Sequence, residues 1–285
     1  MKLNTEARIK NLAIIALTLS LSAWALAQER VVYKKVGDSF DLAINIYKPE
    51  GWKASDSRSA VVFFFGGGWR GGSTKQFEQH SQRLAERGMV AMTAEYRIKN
   101  KHGSTPFEST RDAKSAIRWV RVHAKELGVD PKRIAAGGGS AGGHLAAATA
   151  TIESINEESD NLEISAIPNA LILFNPALDL NLPGIEKSWG KEIAKKILSI
   201  SPLQHVTVSV PPTIVFHGIA DTTVPYDTAD AFVKKAKDLG AKKVELVGYE
   251  GRKHGFFNYG RGDGKDYQST MEKTEAFLEE LGWIK

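Results

Sequence analysis

No cysteine occurs among the 285 residues of this chain. That absence excludes disulfides, thiolate metal sites and a cysteine nucleophile. A core of this size stabilises itself without cross-links. The histidines are scattered, with no His-x-x-x-His pair for a helix to present, so no metal is expected. No basic block is interleaved with aromatics, and 38 Lys and Arg are offset by 33 Asp and Glu to a net +5. Nucleic acid is therefore not an expected partner. Internal repeats and low-complexity tracts are missing too. What remains, 42% apolar and 25% charged, is the composition of an ordinary globular domain.

The N-terminus has a pattern of its own. Lys2, Arg8 and Lys10 precede an apolar run from Leu12 to Leu26, and Ala25-Leu26-Ala27 offers a small-x-small cleavage site before Gln28. The run, about 15 residues, is short for a span that needs about 20. Residues 1–27 are expected to be a signal peptide rather than an anchor, and 28–285 one folded domain. That domain would be secreted or periplasmic, without stable membrane association.

Beyond Gln28, apolar runs alternate with amphipathic stretches. Strands are predicted at 31–36 and 41–47, a hairpin turning at Gly37-Asp38. Six more follow at 60–65, 89–94, 132–136, 170–174, 213–216 and 244–247. Helices are predicted at 76–86, 107–127, 142–152, 228–239 and 267–281, with 100–106 a loop and the acidic stretch 157–160 a solvated one. Ala177 to Val210 reads as a lid-like excursion with one short helix at 191–197. The run Ala60-Val61-Val62-Phe63-Phe64-Phe65 has no polar face, as a strand covered on both sides requires. The order argues for an α/β fold, a mostly parallel sheet after an antiparallel start with helices on both faces. Ligands in such sheets sit at the carboxyl ends of the strands.

The candidate residues fall at those ends. Ser140 lies in Gly138-Gly139-Ser140-Ala141-Gly142-Gly143, between a strand and a helix. Small neighbours allow a turn sharp enough to lift the hydroxyl out of the sheet, at a helix N-terminus that favours negative charge. By itself Gly-x-Ser-x-Gly arises by chance in about one chain in ten of this length. A serine needs a base, and the base needs an orienting acid. Asp221 follows a strand in His217-Gly218-x-x-Asp221-x-x-Val224-Pro225, with Asp227 expected to cap the next helix. His254, beside Gly255, follows the last strand. The order Ser, Asp, His matches one known triad topology. His80, His102 and His123 read as surface or packing residues, His144 as packing behind Ser140, and His205 as a lesser pocket candidate. After strand 60–65, five glycines in the seven positions 66–72 let backbone approach a ligand closely.

Together, Gly66-Gly67-Gly68-Trp69, Glu95-Tyr96-Arg97, the Ser140 turn, the Asp221 segment and His254-Gly255-Phe256 resemble the α/β-hydrolase superfamily. Within it they are similar to bacterial carboxylesterases of the hormone-sensitive-lipase-like and acetyl-xylan-esterase-like group. The resemblance implies the α/β-hydrolase fold, with a central sheet of about eight strands and a minimal cap. It implies a serine carboxylic-ester hydrolase without cofactor, with Ser140 as nucleophile, His254 as base and Asp221 as the orienting acid. It implies an oxyanion hole from the backbone N–H groups of Gly67, Gly68 and Ala141. The family usually has a loop-bracing histidine ahead of its three glycines, and Phe65 stands there in this chain. That departure bears on loop geometry and substrate preference.

Phe65, Trp69, Trp189, Tyr226 and Phe256 are the candidate pocket walls. Little sequence precedes the first strand after Gln28, so the site is expected to be open. Openness and export together suit short acyl groups, acetyl or feruloyl, on plant or algal polysaccharide. Two further readings stand beside the esterase. One is a serine peptidase of the prolyl-oligopeptidase type, and the other a hydrolase fold kept only for binding.

Overall fold

The computed structural model describes residues 28–182 and 184–285, so the expected signal segment lies outside the described residues. The strands are β1 (Gln28–Val36), β2 (Phe40–Tyr47), β3 (Arg58–Phe64), β4 (Val90–Ala94), β5 (Val129–Gly139), β6 (Ala170–Phe174), β7 (Thr213–Gly218) and β8 (Val244–Tyr249). They form one eight-stranded sheet in the order β1-β2-β4-β3-β5-β6-β7-β8. β2 pairs antiparallel with β1 and β4, and every other pairing is parallel. The expected sheet is borne out.

The helices are α1 (Glu78–Glu86), α2 (Lys99–His102), α3 (Pro106–Val122), α4 (Ala141–Thr151), α5 (Ile185–Trp189), α6 (Lys191–Lys196), α7 (Pro202–His205), α8 (Tyr226–Asp238) and α9 (Lys265–Glu280). Apolar residues of α3, α4 and α8 join one core, and those of α1 and α9 join the other. β3 lies between the two. Val62 and Phe64 face the first core, Val61 and Phe63 the second. This is why its sequence has no polar face, and each such side chain contributes about 1.5–3 kcal/mol by leaving water.

Local chemistry sets the helix ends. Thr105 caps α3 with Glu108 reciprocating and Pro106 in the first turn. α3 stops at Val122, short of the predicted 127. His123 Nδ1 there meets the Trp119 carbonyl at 2.9 Å, and the chain turns so that Val129 can pair with Arg58. Gly128, at φ +63°, ends that turn, and a Cβ on it would lie 2.5 Å from the Lys53 carbonyl. The predicted loop at 100–106 is partly α2. Asp227 does not cap α8. Pro225 occupies the cap position without a side-chain bond, its fixed φ starting the helix, and Asp227 lies in the first turn.

Two larger corrections concern loops. The 177–210 excursion holds α5, α6, α7 and a 3₁₀ turn at Ile197–Ile200, not one helix. The acidic stretch is not a freely solvated loop. Glu157 accepts from Lys34 at 2.6 Å and Arg97 at 2.5 Å, and Asp160 pairs with Arg118 at 2.8 Å. Buried Asp112 completes the network, 2.7 Å from both Lys34 and Arg97. The basic partners come from β1, α3 and the segment after β4, so the acidic run by itself carried no trace of them.

Candidate active site

Ser140 is set by backbone, not by its own side chain. It sits at φ 55°, ψ −118° between β5 and α4, a conformation costing about 1–3 kcal/mol for a non-glycine residue. Three hydrogen bonds hold it: its N–H donates to the Phe174 carbonyl at 2.9 Å, and its carbonyl accepts from His144 N at 2.9 Å and Ala177 N at 3.2 Å. Glycine is obligatory beside it. A Cβ on Gly142 would lie 2.0 Å from the Phe64 carbonyl, so α4 packs against β3 only without one.

The glycine loop after β3 abuts this turn, a Cβ on Gly66 coming within 3.3 Å of Ser140 Cβ. Gly66 N–H donates to Gln76 Oε1 at 2.6 Å, and Gln76 Nε2 donates to Asn258 Oδ1 at 2.9 Å. Gln76 therefore ties this loop to the one that carries His254. The N–H groups of Gly67, Gly68 and Ala141 make no turn or loop hydrogen bond among the described residues. Gly68 and Ala141 line the cleft beside Ser140, and Gly67 precedes Gly68 on the glycine loop.

Asp221, on the loop after β7, is buried and fully engaged. Its Oδ1 accepts from Thr223 N at 2.8 Å and Val224 N at 3.0 Å. Its Oδ2 accepts from His254 Nδ1 at 2.7 Å and Asn175 Nδ2 at 2.9 Å, with His217 Nε2 at 3.4 Å. Burial disfavours the anion, but the bonds from His217, His254 and Val224 outweigh it and hold the carboxyl well below the usual range. His254 keeps 24% of its side chain exposed, enough to reach solvent. No hydrogen bond joins it to Ser140 among the described residues, and such links are often long before substrate arrives.

The cleft above Ser140 holds about 170 Å³. Trp69 and Trp189 line it, as expected, with Leu182, Ile185 and Val224. The excursion thus supplies one wall, and the site is less open than expected. Phe65, Tyr226 and Phe256 are not in this wall. Phe65 is buried, stacked on Tyr96 at 4.2 Å, while the Tyr96 hydroxyl donates to the Phe65 carbonyl at 2.7 Å. That stack underlies Gly72 and props the loop. Tyr226 sits edge-on to His217 at 5.8 Å, and Phe256 packs in the core on Tyr249 at 4.6 Å. Phe65 and Phe256 are taken up by the core, and half-buried Tyr226 packs on His217 instead of entering the cleft wall.

His144 packs behind the site. Its Nδ1 accepts from Trp69 Nε1 at 3.2 Å and its Nε2–H donates to the Ile200 carbonyl at 2.8 Å. Burial pushes its pKa down to about 4, so it stays neutral and pins the Trp69 ring. His80 is buried in packing, and His205 is exposed and absent from the cleft wall. Sequence reasoning missed Gln76, Asn175 and His217. Asn175 was within reach, since it follows the apolar strand β6 at the same sheet edge. No group of residues suited to a metal ion occurs among the described residues.

An eight-stranded, mostly parallel sheet with a strained serine between strand and helix, and a carboxylate-held histidine beyond it, defines the α/β-hydrolase class. Comparison with known proteins is specific. The BD-FAE family model matches residues 44–181, and the prolyl oligopeptidase family model matches 179–281. Apo esterase 2 of Thermogutta terrifontis is 48% identical over 90% of this chain and 96% of its own, with TM-score 0.84. Probable carboxylic ester hydrolase LipM of Mycobacterium tuberculosis is 30% identical, over 72% of this chain and 52% of its own. Probable isoprenylcysteine alpha-carbonyl methylesterase ICMEL1 of Arabidopsis thaliana is 28% identical, over 76% and 49%. The chain thus spans about half the length of these two curated relatives. It belongs to the α/β-hydrolase carboxylesterases of the hormone-sensitive-lipase-like group.

Proposed function

We propose that this chain hydrolyses short-chain carboxylic esters through an acyl-enzyme on Ser140. The observation that carries the reading is the 2.7 Å bond from His254 Nδ1 to Asp221 Oδ2, at the sheet edge where the strained turn presents Ser140. Asp221 fixes the tautomer that leaves His254 Nε2 as a base. Ser140 Oγ attacks the ester carbonyl as its proton passes to Nε2. The resulting oxyanion is stabilised by N–H groups of Gly67, Gly68 and Ala141, which need no rearrangement as charge develops. Collapse expels the alcohol, which takes the proton from His254. Water then attacks the acyl group by the same route, releasing acid and restoring Ser140.

A cleft of about 170 Å³ walled by Trp69, Trp189, Leu182 and Ile185 favours small acyl groups. Solved forms of the Thermogutta terrifontis enzyme with propionate and butyrate bound support the same range. Acetyl groups on plant or algal polysaccharide fit this size, with feruloyl esters at its upper limit. The charged, then apolar, then small-residue order of 1–27 supports action outside the cytoplasm. A peptidase reading draws on the prolyl oligopeptidase match over residues 179–281.

Purified protein assayed on p-nitrophenyl acetate, butyrate and octanoate, and on a prolyl nitroanilide, separates these readings. Turnover of the two shorter esters, little of the octanoate and none of the anilide is expected. Unchanged ester turnover in Ser140→Ala would sink the role given to Ser140.

A further inference from the structure

Asn175 follows β6 and is fully buried, with a left-handed backbone at φ +43°. Its N–H donates to the Phe216 carbonyl at 2.8 Å. Pro176, next in sequence, presses on α4 so closely that a Cβ on Gly143 would lie 2.8 Å from it. The chain therefore has to turn sharply here. Asparagine tolerates a left-handed turn better than most residues, but glycine tolerates it best. Backbone demand alone does not explain the side chain.

The amide spans two loops. Nδ2 donates to Asp221 Oδ2 at 2.9 Å, and Oδ1 accepts from Gly255 N at 3.3 Å. Its orientation is unambiguous, because a carboxylate only accepts and a backbone N–H only donates. The Asp221 oxygen it contacts is the one bonded to His254 Nδ1, and Gly255 is the next residue after that histidine. We infer that Asn175 is a positioning residue for the ester hydrolysis proposed above. It aims Asp221 Oδ2 at His254 and clamps the Gly255 peptide, so that the imidazole keeps the orientation that the proposed proton transfer needs. The inference rests on that reading of the site. Glycine in its place would leave both partners short of a bond. Aspartate would keep the shape and the acceptor for Gly255, but would set two carboxylates against each other, and these resist ionising together.

Two variants and two readouts test this. Asn175→Gly removes the amide and relieves the backbone. It is expected to lower kcat on p-nitrophenyl acetate by about 10- to 100-fold with KM within about 2-fold, the cost of a misplaced base. Asn175→Asp is expected to stay partly active while the two carboxylates share a proton. It should lose kcat as pH rises across a range where the parent is flat. The second readout needs no substrate: the low-field proton resonance of His254 Nδ1–H, present in the parent, should shift or broaden in both variants. It reports on the clamp even if the esterase reading fails. Should Asn175→Gly not fold, Asn175→Asp decides. Parental kcat, pH profile and proton resonance in the folded variants would overturn the inference.

Discussion

His254 Nδ1 donates to Asp221 Oδ2 across 2.7 Å, and the carboxylate side chain is wholly shielded from solvent. The pair is held from both sides, since Asp221 also accepts the N–H groups of Thr223 and Val224. Asp221→Asn keeps the shape but turns an N–H toward the histidine and favours the wrong tautomer. A loss of about 10⁴-fold in kcat is expected, with little change in KM. Because the Asp221 pKa is depressed, its ionised form and the stability it brings are present above the ordinary carboxylate range. They are lost only as pH falls through the lower, folded-state value. A pH–rate profile of the parent should therefore show no limb from Asp221 near pH 4.

Acid should weaken the fold through a different residue. His80 lies among Phe77, Phe174, Phe257 and Tyr267, and burial pushes its pKa down to about 3. Among the described residues neither ring nitrogen has a side-chain or backbone partner at hydrogen-bond geometry. The unfolded chain binds a proton below about 6.5 and the folded chain does not, so stability is full above that pH and falls on acidification. By pH 4.5 the loss from this one group is about 2–3 kcal/mol. Urea unfolding at pH 7.5 and 4.5 should show a smaller acid loss in His80→Leu than in the parent. An equal loss would remove His80 from the account.

Strand positions and the residues beyond the strand ends were legible in the sequence because they follow from local signals. Continuous apolar runs such as 170–174 have strand length, and Ser140, Asp221 and His254 each follow a strand. The pocket was much less legible. Phe65, Tyr226 and Phe256 are aromatic and near the reacting groups in sequence, yet the core buries Phe65 and Phe256, and half-buried Tyr226 packs edge-on to His217. Gln76 and Asn175 act across 182 and 80 residues of chain, through bonds to Asn258 and Gly255. No local pattern encodes such pairings. The ion network around Asp112 was hidden for the same reason.

Gln76 joins the glycine loop to the His254 loop, so it should matter for rate more than for binding. Gln76→Leu removes both bonds and should cost about 10- to 100-fold in kcat through displaced donors. Gln76→Glu keeps the acceptor for Gly66 N–H and loses the donor to Asn258. An intermediate kcat is expected for it, with KM near the parental value in both variants. Steady-state kinetics on p-nitrophenyl butyrate checks the order.

Cleft charge gives a handle on substrate. Exposed Arg70 lines the cleft, and among the described residues it has no ion pair. Lys99 donates to the Ser188 carbonyl at 2.9 Å and lies 4.9 Å from the Trp189 ring centroid, on the same rim. Among the described residues no acidic side chain lines this cleft. Esters carrying a carboxylate, such as acetylated uronic-acid oligosaccharides, should be turned over better than neutral analogues. Arg70→Gln should lower kcat/KM for the charged ester by about 2- to 5-fold, the scale of one exposed charge contact, and leave the neutral ester unchanged. Competition between the paired esters at low and high salt measures it.

Ser140 is the group that takes the acyl chain in the proposed reaction. Incubating the protein with a fluorophosphonate, then digesting it and mapping the adduct by mass spectrometry, tests that directly. The expected result is one adduct per chain on the peptide holding Gly138-Gly139-Ser140-Ala141-Gly142, absent in Ser140→Ala. An adduct on another residue, or a folded parent that takes none, would contradict it.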